Sequence, residues 1–175
     1  PTLVPLNHLL SSVDGVFNAV FLTGDNVDAT MSYGRGAGGM PTGSAVVSDL
    51  IDIVRNIGAG IRTKIPPLSV IRSEIRQLAV MPVERIRSEY YLRFQVRDRA
   101  GVLAAITRVM GDRNISIASM IQPARSKHPD EPVQVILITH HAREADVRDS
   151  LREIQPMDFI AGETQLIRIE RFAAG

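Results

Sequence analysis

Two short stretches of this chain hold residue types that could do chemistry. The first is Ser32-Tyr33-Gly34-Arg35-Gly36-Ala37-Gly38-Gly39-Met40-Pro41-Thr42, with four glycines in six positions. Glycine is entropically costly to order, so such a cluster is easiest to explain where the backbone takes positive φ or another group approaches closely. Phosphate groups and the reactive end of a nucleotide are the usual visitors to such a turn when it opens a helix. Gly34, Gly36 and Gly39 satisfy G-x-G-x-x-G, but the dinucleotide fingerprint also needs a parallel strand ending in an acidic residue about twenty positions on. Here the next segment runs into Gly58 and Pro66-Pro67, and Asp49 and Asp52 lie within it. The stretch is therefore not the first βαβ unit of a dinucleotide domain. The competing reading is that its glycines serve only tight packing of a strand against a helix.

The second stretch is Asp98-Arg99-Ala100-Gly101-Val102-Leu103. A loop placed between a strand and the helix that follows it presents backbone N–H groups at a helix N-terminus, where the macrodipole favours a carboxylate. Asp98 could accept from an ammonium group, and the combination suits an amino acid zwitterion. The simpler alternative is that Asp98 is a helix N-cap, Gly101 eases the turn and nothing binds.

Other residues are poorer candidates. His140-His141 has no further histidine or carboxylate at ligand spacing, so it reads as a pair at a strand end, and no metal is expected. His8 reads as a loop residue. Neither Ser44 nor Ser116 has a base nearby in sequence, which leaves nucleophilic catalysis unsupported. Arg125-Ser126-Lys127-His128-Pro129-Asp130 reads as a solvated hairpin loop.

The elements that must position these stretches follow from apolar periodicity. Val16 to Thr23 alternates as a strand, Gly24-Asp25-Asn26 supplies turn chemistry, and Val27 to Tyr33 is the partner strand of a hairpin. After Pro41, residues Val46, Val47, Leu50, Ile51 and Val54 keep helical spacing, and Gly58 and Gly60 stop the helix. Residues 59–88 read as a linker with one short helix carrying Ile71, Ile75 and Leu78. Beyond it, Tyr90 to Val96 is a strand, Val102 to Gly111 a helix, Ile115 to Ile121 and Val133 to Thr139 strands, Glu144 to Ile154 a helix, and Gln165 to Glu170 a strand. The fold class is thus α+β. A partial α/β unit of hairpin, glycine loop and helix precedes a ferredoxin-like βαββαβ domain, whose sheet carries both helices on one face and leaves the other open.

Composition narrows the function classes. The chain has 175 residues, is 45% hydrophobic and carries net charge +1, enough for packed cores without staples. Zero cysteines exclude disulfides, thiolate metal sites and a cysteine nucleophile, and fit a cytoplasmic location. No apolar run has the length of a membrane span. The first residues form neither a natural start nor a signal peptide, so the chain reads as beginning within a longer protein. Residues 1–54 hold one arginine against five acids, and residues 55–99 ten basic groups against four acids. An RNA-recognition domain shares the βαββαβ order, but Val133 to Thr139 lacks the stacking aromatics that its third strand presents, so nucleic acid is not expected as a partner.

Pro1-Thr2-Leu3-Val4-Pro5, Gly15-Val16-Phe17-Asn18-Ala19-Val20 and Tyr33 to Thr42, in that order and spacing, closely resemble the end of the catalytic domain of the homoserine dehydrogenase family. Residues 89–171, with Asp98 to Leu103 followed by Asn114-Ile115-Ser116, resemble an ACT domain, the small regulatory module found in many bacterial members. The sequence departs from the family pattern at Leu6 to Ser11, at Ser32 and at Gly43. The resemblance implies a domain arrangement of 1–58, the C-terminal part of the catalytic and dimerisation domain; 59–88, the linker; and 89–171, the ACT domain. It implies an NAD(P)-dependent oxidoreductase interconverting aspartate 4-semialdehyde and L-homoserine, with its catalytic residues upstream of this chain and with Gly34, Gly36, Ala37 and Gly38 on the nicotinamide side of the cofactor site. It further implies a homo-oligomer and an amino acid effector, L-threonine, held by Asp98, Ala100, Gly101, Val102 and Leu103 of one subunit with Ser116 of another. The isolated chain has a second reading, as a non-catalytic amino-acid-binding and dimerisation module.

Overall fold

The computed structural model describes residues 1–61, 75–123 and 131–172. The chain divides into two compact units, Leu6–Ala79 and a second made of Pro1–Pro5 with Val80–Gly175.

In the first unit a short 3-10 turn, Leu9–Ser12, precedes the antiparallel pair β2 (Phe17–Gly24) and β3 (Asp28–Arg35), with Phe17 opposite Arg35 and Gly24 opposite Asp28. Asp25-Asn26-Val27 makes the turn, and Asp28 leaves it at φ 54°, a left-handed conformation that aspartate tolerates better than most residues. The rings of Phe17 and Tyr33 stack with centroids 4.9 Å apart, and the Arg35 guanidinium lies 5.0 Å above the Phe17 ring. Helix α1 (Gly39–Gly58) follows. It starts two residues before Pro41, a position in the first turn where the missing N–H costs nothing. Among the described residues of this unit none is buried, and Val47, Leu50, Ile51 and Val54 form an exposed apolar row along α1.

The second unit holds the packed core. Its elements are β1 (Thr2–Leu3), β4 (Arg87–Arg97), α2 (Val102–Gly111), β5 (Ile117–Ile121), β6 (Pro132–Thr139), β7 (Ala142–Arg143), α3 (Glu144–Ile154) and β8 (Gln165–Ile169). The sheet order is β1-β8-β4-β6-β5, with β7 paired to the start of β4. β4 is antiparallel to both β8 and β6, and β1 runs parallel to β8. This is the ferredoxin-like order extended by one short strand. Burial alternates along β4, with Ser88, Tyr90, Leu92, Phe94 and Val96 inside. Those side chains share one core with Val102, Ile106, Val109 and Met110 of α2 and Val147 and Ile154 of α3. Each large apolar side chain so enclosed is stabilised by about 1.5–3 kcal/mol relative to exposure.

The structure differs from the periodicity reading in several places, among them the hairpin turn, which is shifted so that Gly24 ends β2 and Val27 lies in the turn, and β5, which begins at Ile117 rather than Ile115. β4 begins at Arg87 rather than Tyr90, because Ser88 already belongs to the buried alternation and pairs with β7. Residues 75–82 form no helix and are followed by a 3-10 turn, Val83–Arg85; Ile71 and the rest of the expected linker helix lie outside the described residues, as does the expected hairpin loop Arg125 to Asp130. Thr2 and Leu3, read as part of the first domain, join the sheet of the second unit.

Candidate functional site

The loop between β4 and α2 encloses a cavity of about 180 Å³ lined by Asp98, Ala100, Gly101, Val102, Leu103 and, from beyond β5, Gln122, among others. Its shape is set by Gly101, which caps α2 at φ 91°, ψ −14°. That conformation is strained for residues with a Cβ. No side chain caps the helix, so Asp98 is not its N-cap; the Val102 N–H donates instead to the Arg99 carbonyl at 3.4 Å. A helix N-terminus without a side-chain cap, beside an aspartate, is an arrangement that can meet a carboxylate and an ammonium group together.

Ser116 is not at this cavity within the chain. It precedes β5 at the end where Ile117 pairs with Thr139, and its carbonyl accepts from the His140 N–H at 2.9 Å. The Asp98 loop leaves the sheet at the other end, where Arg97 pairs with Pro132. The eight residues of β6 separate the two ends, roughly 25 Å of strand. From the same chain the second-strand side reaches the loop through Gln122, a residue that local sequence chemistry gave no reason to choose.

The first unit places the glycine stretch at the end of β3 and the start of α1. Gly34 lies within β3, with open space where a Cβ would stand. At Gly36 a Cβ would collide with the side-chain amide of Asn18, across the hairpin. The Gly36 N–H donates to the Val16 carbonyl at 3.2 Å. Gly38 stands at φ 123°, ψ 141° and caps α1 without a side-chain hydrogen bond. The glycines therefore serve two purposes: Gly36 admits Asn18, and Gly38 turns the chain into a helix whose first amides are open.

A polar cluster that local spacing did not single out lies at the opposite end of the second unit from the Asp98 loop. Glu144, at the start of α3, is fully buried. Its carboxylate accepts from Arg168 Nε and Nη2 at 2.8 and 2.6 Å, from Arg148 Nε at 2.7 Å and from Tyr90 Oη at 3.0 Å, while its own N–H donates to the Ile86 carbonyl at 2.8 Å. Burial alone would raise the Glu144 pKa, but the hydrogen bonds from Arg168, Tyr90 and Arg148 outweigh it and hold the carboxyl below its ordinary value. Burial, and next the bond to Glu144, push the Tyr90 phenol well above its ordinary range. The i,i+4 spacing of Glu144 and Arg148 was visible in sequence; Arg168 and Tyr90 arrive only through the pairing of β8 with β4.

The remaining candidates have local roles. His8 Nδ1 accepts from the Leu10 N–H at 3.2 Å, capping the 3-10 turn, and its ring meets Phe21 edge-on at 4.7 Å. His141 lies 3.8 Å from Glu89, which also binds Arg171 at 2.6 Å. Among the described residues no group of three histidine or acidic side chains is placed to hold a metal, and no helix is long and apolar enough to cross a membrane.

Comparison with known proteins agrees with this architecture. The homoserine dehydrogenase family model matches residues 1–51 and the ACT domain model residues 90–155. Homoserine dehydrogenases of Pseudomonas aeruginosa and Bacillus subtilis are 36% and 34% identical over 98% and 97% of this chain, which spans only 39% and 38% of their lengths. The crystal structure of a homoserine dehydrogenase from Thiobacillus denitrificans matches 97% of this chain and 38% of its own with a TM-score of 0.80 at 40% identity. That of the Staphylococcus aureus homoserine dehydrogenase at pH 6.0 matches 98% of this chain and 37% of its own, with a TM-score of 0.52 at 22% identity, a likeness of fold. Along nearly its whole length the chain is thus similar to homoserine dehydrogenases, with a segment that matches that family's model joined to one that matches the ACT domain.

Proposed function

We propose that this chain is the C-terminal part of a cytoplasmic, NAD(P)-dependent homoserine dehydrogenase that interconverts aspartate 4-semialdehyde and L-homoserine in threonine and methionine biosynthesis. Its regions are then 1–58 from the catalytic and dimerisation domain, 59–88 as linker and 89–171 as the ACT domain. The observation that carries this reading is the two family matches in one chain, in order, with a structural likeness over 97% of this chain to part of the Thiobacillus denitrificans enzyme. When bound, the nicotinamide supplies the hydride. The residues present here fit its approach in one respect: the uncapped start of α1 and the open side of Gly34 leave backbone accessible beside Gly36, Ala37 and Gly38. The catalytic groups belong to the upstream part of the parent enzyme, and the isolated chain is inactive.

The ACT domain binds an amino acid effector, L-threonine, in a homo-oligomer. Asp98 takes the ammonium group, the amides of Gly101 to Leu103 take the carboxylate, and Ser116 of a neighbouring subunit meets the hydroxyl. The cavity at Asp98 and the left-handed Gly101 support this assignment. Titration calorimetry of L-threonine, with L-serine, L-methionine and L-isoleucine as comparators, alongside sedimentation, tests it. Asp98→Ala should weaken threonine binding about tenfold or more, the loss of one charge-assisted hydrogen bond; unchanged affinity overturns the assignment. A second reading, that the chain alone acts only as a binding and assembly module, is favoured by the absence of any buried residue among those described in its first unit.

A further inference from the structure

The edge of the ACT sheet is extended by residues from the very start of the chain. Thr2 pairs with Arg168 and Leu3 with Ile169, and the Glu170 N–H donates to the Leu3 carbonyl at 3.0 Å. This strand has only two residues, both exposed. Elements with so few buried contacts open at little free-energy cost. Its partner strand is fastened differently, because Arg168 binds both carboxylate oxygens of the buried Glu144. A weakly held strand thus lies against a firmly held one.

The place of this junction in the fold gives it a consequence. The polypeptide passes between the two units at Pro5–Leu6 and again at Ala79–Val80. On the second unit, the strands nearest those crossings, β1 and the start of β4, lie at one end of the sheet, where Glu89 pairs with Ile169 and Leu3 also pairs with Ile169. The Glu144 cluster lies at that end, holding Tyr90 of β4, Arg168 of β8 and, through its N–H, the Ile86 carbonyl just before β4. The Asp98 loop lies at the other end, and β4 runs unbroken for 11 residues between them.

We propose that β1 is a latch: its pairing with β8, held in register by the Arg168–Glu144 clamp, couples the ACT sheet to the segment that carries the glycine loop. β4 joins the Asp98 loop to the clamp, the clamp fixes β8, and β8 holds or releases the chain that continues into the hairpin of β2 and β3. Arg168 is a positioning residue in this scheme, and touches neither effector nor cofactor. The proposal rests on the reading of the parent as a dehydrogenase with an effector-binding ACT domain.

The test uses the full-length dehydrogenase with two variants. Leu3→Pro removes an N–H from β1 and fixes its φ, and Arg168→Met removes the clamp on Glu144 while keeping an unbranched apolar stem. Hydrogen exchange read by mass spectrometry follows three peptides, 90–96 in the core, 165–171 in β8, and 28–42 across the glycine loop. The expected result is exchange about tenfold or more faster in both 165–171 and 28–42 with 90–96 still protected. Steady-state kinetics should then show kcat or KM for the nicotinamide cofactor shifted by about threefold or more, with Arg168→Lys lying between Arg168→Met and wild type. Wild-type exchange across 28–42, in whichever variant keeps 90–96 protected, overturns the latch and leaves β1 as an edge cap. Failure of the wild-type enzyme to bind L-threonine defeats the effector reading instead, and failure to turn over homoserine defeats the dehydrogenase reading; the exchange comparison decides the latch in either case.

Discussion

Arg168 and Glu144 meet through two hydrogen bonds of 2.8 and 2.6 Å, one to each carboxylate oxygen, with the Glu144 side chain wholly out of water and that of Arg168 22% exposed. Removing one member of such a pair leaves the other buried without its counter-charge, which costs about 3–5 kcal/mol. Glu144→Ala is therefore expected to lower the stability of the second unit by about 3 kcal/mol, since part of Arg168 can still reach water. The paired replacement Glu144→Leu with Arg168→Met should cost clearly less. Urea unfolding followed by far-ultraviolet circular dichroism of the three proteins checks the order.

The same pair gives stability a pH dependence of known sign. The folded Glu144 carboxyl sits below its ordinary pKa, so the unfolded state takes up the proton first. The stabilisation is complete above the ordinary glutamate range and is lost as pH falls below it toward the folded value. The melting temperature of wild type should exceed that of Glu144→Gln at neutral pH, and the gap should narrow on acidification from pH 5 to 3. A constant gap across that interval would show that the charge of Glu144 is not the source.

Gly36 and Gly38 should respond differently to alanine. At Gly36 the obstacle is the Asn18 amide, the end of a short side chain that can be removed. Gly36→Ala should loosen the hairpin, and Gly36→Ala with Asn18→Ala should recover most of the loss. At Gly38 the obstacle is the backbone itself, at φ 123°, a region nearly closed to residues with a Cβ and worth about 1–3 kcal/mol of strain. No second substitution should rescue Gly38→Ala. Chemical-shift perturbation of the Val16 to Gly39 amides distinguishes the two outcomes.

Gly101→Ala places a Cβ at φ 91° in open space, so its cost is conformational rather than steric contact. A destabilisation of about 1–2 kcal/mol is expected, together with weaker amino acid binding if the Asp98 cavity is the effector site. Thermal unfolding and calorimetric titration of the same sample separate the two effects. Full binding by a destabilised Gly101→Ala protein would mean that the loop backbone does not set the site.

Hydrogen exchange should be slow in residues 90–96 and 133–139, which alternate into the buried core of the second unit, and fast throughout residues 17–58 of this chain, none of which is buried. Protection in α1 equal to that of β4 would show that its apolar row is covered by self-association.

The sequence by itself determined the elements whose stabilising contacts are periodic. Alternation along Tyr90 to Val96 and Val133 to Thr139, and helical spacing through Ile106, Val109 and Met110, are local records of which face must leave water, and the strands and helices formed within a few residues of those patterns. The homoserine dehydrogenase and ACT motifs were legible for a related reason, since glycines with special backbone demands leave their mark on residue identity. Tertiary structure alone decided what depended on distant partners. Thr2 and Leu3 carry no strand signal of their own and pair because β8 offers an edge; Glu144 becomes a buried hub because β4 and α3 bring Tyr90 and Arg148 to it and β8 brings Arg168; Gly36 is glycine because Asn18 stands across the hairpin. Each is a contact between segments whose separation along the chain hides the partner, and a linear pattern records only the neighbours that a residue keeps at fixed spacing.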